Sequence, residues 1–319
     1  MLERTSHEPT RIRSTNVDGM GPTLLCKLAL RYLHARFHLL VVGPALIAVF
    51  YAMFSALSRA APGTVWLTPA LAGVVAFTLQ FLQMRLADDL DDVEMDIPAP
   101  SSAAECSKFR CRLQVGFLAS FLLGAALCAP WPVLLVGHCV VTLAVLLPFA
   151  VKQLGCVHRG VLAIAFEATP AALFTFVYVA WYVCTGRALP TLSVSAVIAP
   201  FWCAFEFWKL TRKIGDAPRM QPYFLQPAGL RTAATALLVV ALVGHTVLIS
   251  DIADWSVGFC TYLMLLPTIF AALLTWSWPD SWDGTHRWDG SRVRLAWRGL
   301  AYPALLAAGF IVESLRIAV

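Results

Sequence analysis

WLTPALAGVVAFTLQFLQMRLADDLDDVEMD, residues 66–96, changes character at Asp88. From Trp66 to Ala87 it is an apolar run broken only by scattered polar residues, among them Gln80, Gln83 and Arg85. At about 1.5 Å of rise per helical residue, a run of that length crosses the ~30 Å hydrocarbon core of a bilayer. The chain then places carboxylates at 88, 89, 91, 92, 94 and 96, in a protein that holds only 19 Asp and Glu. If the helix continues, Asp88, Asp92 and Asp96 recur at i, i+4 and i+8 and stack along one face, with Asp89 beside them. Like charges at that spacing repel, and aspartate is a poor helix former. A divalent cation offsets that repulsion. Mg²⁺ takes a few carboxylate oxygens and fills its shell with water and phosphate oxygens, so the stretch reads as a membrane helix that ends in a half-built metal site. The competing reading, a solvated acidic loop, does not account for the regular spacing.

The rest of the chain agrees that lipid is the solvent. Hydrophobic residues make up 59% and charged residues 13%, with a mean hydropathy of +0.71, against roughly 25% charged in soluble domains. The nine cysteines form no CxxC pair, and Cys128, Cys139, Cys184, Cys203 and Cys260 lie in apolar runs. A disulfide framework or zinc site needs clustered thiols, so they read as small apolar fillers. The polar start of the chain, with Arg4, Arg11 and Arg13, is not followed closely by a cleavable apolar stretch, and no signal peptide is expected.

Apolar runs fall at 38–58, 66–87, 113–129, 132–151, 161–184, 191–209, 230–249, 256–276 and 299–316. The expected fold is therefore an all-α integral membrane bundle of about nine transmembrane helices. Residues 1–37 form a tail ahead of it, and 38–319 form the transmembrane domain. The stretch 23–37 suits a basic helix lying on the membrane surface, or equally one packed under the bundle. Connections after the odd-numbered spans are short and nearly uncharged, whereas those after the even-numbered spans are longer and polar. If the tail and the even-numbered connections are cytoplasmic, all but three of the 24 Lys and Arg lie on that side, the exceptions being Arg59, Arg187 and Arg316. That asymmetry is the positive-inside pattern, and the acidic run breaks it. The net charge of +5 then reports topology and contact with membrane lipids, and nucleic-acid binding is not expected.

Asp88-Asp89-Leu90-Asp91-Asp92 fits the DDxxD pattern of isoprenoid diphosphate enzymes. Extended to Asp96, the stretch resembles the NDxxDxxxD motif that ends the second helix in the UbiA superfamily of intramembrane prenyltransferases, with Asp88 in place of the usual Asn. Nine spans, with the motif after the second, match that family's layout. The resemblance implies Mg²⁺ as cofactor, with Asp88, Asp89, Asp92 and Asp96 as its ligands, and an isoprenoid diphosphate as substrate.

The family's second motif, commonly DxxxD, follows the sixth helix. Here that segment is FEFWKLTRKIGD, residues 205–216, and it departs from the pattern. Glu206 is carried over as a metal-side acid, and Lys209 and Arg212 as cations for the diphosphate, with Lys213 a further candidate on the same helical face. The departure puts a second, fully carboxylate-held metal in doubt. Lys152, at the end of the fourth span, resembles the family's basic residue in that loop. Glu167 is an intramembrane acid and so a candidate for handling an acceptor. Trp202 and Phe205, with Trp208, Phe201, Phe77 and Phe81, are candidate aromatic faces for an allylic cation. His138 and His245 read as hydrogen-bonded interior residues. The two Trp-Asp-Gly repeats at Trp282 and Trp288 read as interfacial anchors.

What the resemblance implies is an enzyme that ionises an allylic diphosphate and passes the prenyl group to a lipophilic acceptor, an aromatic one included. UbiA-type terpene cyclases, which need no acceptor, are the alternative. A cation-coupled transporter fits less well, since such sites lie near the midplane at broken helices. Oligomeric state does not follow from the sequence. Reporter fusions check the sidedness: a cytoplasm-dependent reporter is expected to be active after the second, fourth and sixth spans and silent after the first, third and fifth.

Overall fold

The computed structural model describes residues 39–60, 67–91, 103–153, 169–183, 192–216, 227–251, 255–277 and 290–318. Among the described residues there are nine helices and no strand: α1 Leu39–Ala60, α2 Leu67–Asp91, α3 Ala103–Cys128, α4 Pro132–Gln153, α5 Thr169–Val183, α6 Leu192–Asp216, α7 Pro227–Asp251, α8 Val257–Trp276 and α9 Gly290–Ala318. The expected tail helix at 23–37 and the Trp282 and Trp288 repeats lie outside the described residues.

Each apolar run lies on one helix, but several helices outrun their apolar stretch. Helix α3 begins ten residues before the run at 113, α6 continues past 209 to Asp216, and α9 begins at Gly290 rather than near 299. Hydropathy marks where lipid ends, whereas backbone hydrogen bonding continues wherever a helix has something to pack on. For α3 that something is the end of α2, where Leu86 and Leu113 are buried with Phe109 and Leu90 against them. Pro69 and Pro170 fall in the first turns of α2 and α5, where no intrahelical N–H is required.

Neighbours in sequence pack side by side around the bundle, and α9 closes the ring against α1. Helix α6 sits at the hub, touching α1, α5, α7 and α9. The outer face is apolar: Val136, Val140, Leu143 and Leu147 expose a stripe along α4, and Leu265, Ile269 and Leu273 another along α8. Four helices carry stretches long and apolar enough to cross a bilayer, Val42–Arg59, Phe109–Cys128, Arg231–Asp251 and Val257–Trp276. The polar groups are inside instead. Gln80, Gln83, His138, Glu206, His245 and Glu313 are all 3% exposed or less. Apolar outside and polar inside is the arrangement of a protein dissolved in lipid; this is an integral membrane protein.

Helix α9 approaches α6 closely at Gly299, where a Cβ would fall on Thr211 Oγ1. That contact seats α9 behind the polar end of α6. At the other end of the bundle, the structure explains two of the three arginines that break the charge asymmetry. Arg59 at the end of α1 and Arg316 at the end of α9 both meet the buried Glu313. Arg316 bonds it through Nη2 at 2.9 Å and Nε at 3.2 Å, and Arg59 Nη1 lies 3.9 Å away. Glu313 also accepts from the backbone N–H of Ser256 at 2.9 Å and from its hydroxyl at 2.7 Å. Ser256 caps α8 by accepting from the Phe259 N–H at 3.1 Å. Arg59 stacks 4.1 Å over Trp255. One carboxylate thus ties three helix ends together. Arg316 is more than half exposed, so solvent screens its share; Ser256 and Arg59 carry most of the effect. Glu313→Ala is expected to cost about 2–3 kcal/mol, read as a lower melting temperature in detergent, with Glu313→Gln losing less.

Candidate active site

Helices α2 and α6 each end in a mixed polar segment, and aromatic packing holds those ends together. On α2, Phe77 and Phe81 fall on the face that one turn later carries Met84 and then Asp88. Phe81 meets Phe205 of α6 edge-on, with centroids 5.0 Å apart. Both also touch Phe176 of α5, at 6.2 Å each. Phe77 extends the cluster to Phe176 at 5.8 Å and to Phe50 of α1 at 6.0 Å, and Trp208 caps it 5.9 Å from Phe205. Phe50, Phe77, Phe81 and Phe176 are buried; Phe205 and Trp208 are partly so.

Four connections separate α2 from α6, so the two helices run in the same direction. Phe81 stands ten residues before Asp91, the last residue of α2, and Phe205 eleven before Asp216, the last of α6. Their contact therefore brings both charged segments to one end of the bundle, roofed by the same aromatic cluster. Lys152 joins that end by register. Thr142 of α4 lies 3.3 Å from Gln83 of α2, and α4 runs ten residues on to Lys152 while α2 runs on to the acids.

The two neighbouring aspartates are not equivalent. Asp88 is 58% exposed and Asp89 only 2%, yet Arg85 reaches both, through Nη1 to Asp88 Oδ2 and Nη2 to Asp89 Oδ1, each at 2.6 Å. Sequence reading counted Arg85 only as an anchor charge. Its signal was present all the same: an arginine three and four residues before a pair of acids shares their face. Part of the repulsion that seemed to demand a metal is thus met within the helix. On α6, Glu206 and Lys209 are 4% and 12% exposed and paired at 2.6 Å. Trp202, one turn earlier, is partly buried, and its indole N–H has no partner among the described residues. Arg212 and Lys213 lie in the last turns of α6, and Lys152 in the last turn of α4. Glu167, Asp92 and Asp96 fall outside the described residues. Among the described residues no three His, Cys, Asp or Glu side chains converge as a metal site. What the described residues present is an exposed carboxylate, Asp88, paired with Arg85 near the end of α2, and a basic segment at the end of α6.

The histidine expectation holds at one position and fails at the other. His138 is buried and bonded to the Phe121 carbonyl at 3.1 Å. His245, within α7, is buried with neither ring nitrogen partnered among the described residues.

Fold and site together define an intramembrane helical bundle with its polar machinery at one end. No family model matches the sequence, and no curated protein does. Among solved structures, the chain is similar to an apo UbiA homologue from Aeropyrum pernix K1, with a TM-score of 0.61 and 16% identity over 85% of this chain and 98% of that one. It is also similar to a UbiA homologue from Archaeoglobus fulgidus bound to DMAPP and Mg²⁺, with a TM-score of 0.52 and 12% identity over 86% of this chain and 99% of the other. The chain has the UbiA fold, as expected for an all-α membrane bundle of this helix order.

The Arg85–Asp89 pair yields a stability test. Arg85→Leu leaves a carboxylate that is 2% exposed without its guanidinium, an expected loss of about 3–5 kcal/mol. Arg85→Leu with Asp89→Leu is expected to recover most of it in thermal unfolding of the solubilised protein.

Proposed function

We propose that this chain is a UbiA-type membrane enzyme that ionises an allylic prenyl diphosphate with Mg²⁺ and transfers the prenyl group to a lipophilic acceptor. The observation that carries the reading is the Phe81–Phe205 contact, which places the acidic end of α2 and the basic end of α6 under one aromatic roof. The Archaeoglobus fulgidus neighbour, of the same fold, binds DMAPP and Mg²⁺.

Asp88, with Asp92 and Asp96 further along, would hold the metal, and Asp89 would steady Arg85 beside them. Bound there, Mg²⁺ supplies positive charge to the diphosphate oxygens as the leaving group departs. Lys209 faces the diphosphate from the other side, positioned by Glu206, with Arg212, Lys213 and Lys152 adding cations along the same end. The allylic C–O bond breaks and its electron pair leaves with the diphosphate. The carbon chain lies upward among Phe77, Phe81, Phe176 and Phe205. Their packing excludes the water that would quench an allylic cation, and their faces stabilise it by about 2 kcal/mol when desolvated. A nucleophilic carbon of the acceptor then bonds to the cation and loses a proton, for which Glu167 is the candidate base.

The enclosing phenylalanines also suit a cation attacked by a double bond of its own chain, which is cyclisation. Incubation with farnesyl or geranylgeranyl diphosphate and Mg²⁺, without acceptor, separates the two. Transfer predicts no cyclic product; a cyclic hydrocarbon or alcohol in the mass spectrum would refute it. Asp92→Asn is expected to lower turnover at least about a hundredfold while the protein remains folded in detergent. Unchanged activity in that variant, or in EDTA, would remove the metal from the mechanism.

A further inference from the structure

Away from Phe81, four polar residues tie α2 to α4. Gln80 and Gln83 of α2 and His138 and Thr142 of α4 are all buried, the first three with no exposed surface. Helix α3 fixes the histidine. A Cβ at Gly124 would fall on the His138 ring, so only glycine admits it there. The ring stacks on Phe121, with centroids 5.4 Å apart and planes 13° apart, and Nε2 donates to the Phe121 carbonyl at 3.1 Å. A carbonyl only accepts, so the proton is on Nε2 and Nδ1 is left as an acceptor. Gln80 Nε2 donates to that Nδ1 at 3.4 Å. One turn on, the Thr142 hydroxyl lies 3.3 Å from Gln83 Oε1 and 3.0 Å from the His138 carbonyl. Two successive turns of α2 are thus joined by hydrogen bonds to two successive turns of α4.

These bonds supply what aromatic packing does not. Between helices in lipid there is no hydrophobic force, so association rests on close packing and interhelical hydrogen bonds. Ring pairs tolerate small rolls, since favourable centroid separations run from about 4.5 to 7 Å. A hydrogen bond weakens steeply with angle and therefore resists them. Gln83 stands two residues after Phe81, about 200° round the helix. The Phe81–Phe205 contact and the Gln83–Thr142 contact consequently grip α2 from nearly opposite faces. The acidic end lies just beyond that grip. Asp88, five residues past Gln83, is 58% exposed, whereas Ala87 beside it is 3% exposed. A roll of about 30° would carry a carboxylate ~6 Å from the helix axis through about 3 Å. Mg²⁺ demands a near-ideal octahedron with oxygens at about 2.0–2.1 Å, so a displacement of that size removes a ligand.

We propose that His138, with Gln80, Gln83 and Thr142, is a positioning network that sets the rotation of α2 and so aims Asp88 at the metal. The proposal rests on the reading of Asp88 as a metal ligand, but its first test needs neither Mg²⁺ nor diphosphate. Ala87→Cys and Asp88→Cys serve as separate reporters in the full chain in lipid nanodiscs. A water-soluble maleimide labels them, and mass spectrometry reads each position. Asp88→Cys is expected to label faster than Ala87→Cys. Adding His138→Leu is expected to speed labelling of Ala87→Cys roughly five- to tenfold, the population shift that loss of one hydrogen bond implies. His138→Gln, whose amide keeps a donor and an acceptor, is expected to restore the slow rate. Should His138→Leu fail to fold, Thr142→Val removes a single hydroxyl and carries the same expectation. The native Cys203, buried in α6, is expected to stay unlabelled throughout. In turnover of a prenyl diphosphate, the same variants are expected to raise the Mg²⁺ concentration for half-maximal rate about tenfold, with the rate at saturating Mg²⁺ unchanged. Unaltered labelling of Ala87→Cys in a folded variant, equal acceleration at Cys203, or an unaltered Mg²⁺ requirement would each overturn the proposal. Absence of turnover in the unaltered chain would instead remove the proposed reaction, and the labelling result would stand apart from it.

Discussion

The contact between Phe81 and Phe205 is the constraint on which the rest of the site depends. Charged helix ends repel or scatter unless something else fixes their separation. Here two rings meet edge-on about ten residues before the ends of their helices, and Phe176 packs against both. The aromatic packing sets the spacing, and the Arg85–Asp89 and Glu206–Lys209 pairs then keep each end internally neutral enough to sit partly buried. The same rings that hold the ends together form a packed, water-excluding aromatic layer above them. Removing that packing would open the aromatic layer and lose the alignment of the ends at once.

The polar groups of the bundle sort by partnership. Glu313 is saturated by Ser256, Arg59 and Arg316, and it behaves as a structural tie at the end remote from the acids. Glu313 itself is buried, so the part of that tie made with Ser256 and Arg59 is worth more than the same pair on a soluble surface. Gln80 and Gln83 differ. Each keeps one unmatched amide atom in a region where unmatched atoms are expensive. Glu313, by contrast, accepts four hydrogen bonds, two from Ser256 and two from Arg316, with the Arg59 guanidinium beside them.

Much of the architecture could be read from the chain itself. Apolar runs of bilayer length gave the helices in order, and the odd–even alternation of the connections already implied that the ends of α2, α4 and α6 share a side. The acidic run at 88–96 was legible because carboxylates are rare here and regularly spaced. The ends of α3, α6 and α9 were not legible from hydropathy, which reports apolar content and not backbone hydrogen bonding; for α3, Phe109 and Leu113 pack on the end of α2. Arg85 was hidden among anchor charges, and Asp88 and Asp89 looked interchangeable in the sequence.

Sequence by itself determined the solvent of this protein, the order of the helices seen among the described residues, and the carboxylate-rich composition at the end of the second one. Those properties are local: each depends on residue type and on periods of a few residues. Tertiary structure decided which side chains meet. Whether Asp88 faces outward while Asp89 turns in, whether Phe81 finds Phe205, and whether Arg59 and Arg316 converge on Glu313 all depend on how helices distant in sequence rotate and settle against one another. A helix has one sequence but a full turn of azimuth to choose from, and only packing against its neighbours fixes that choice.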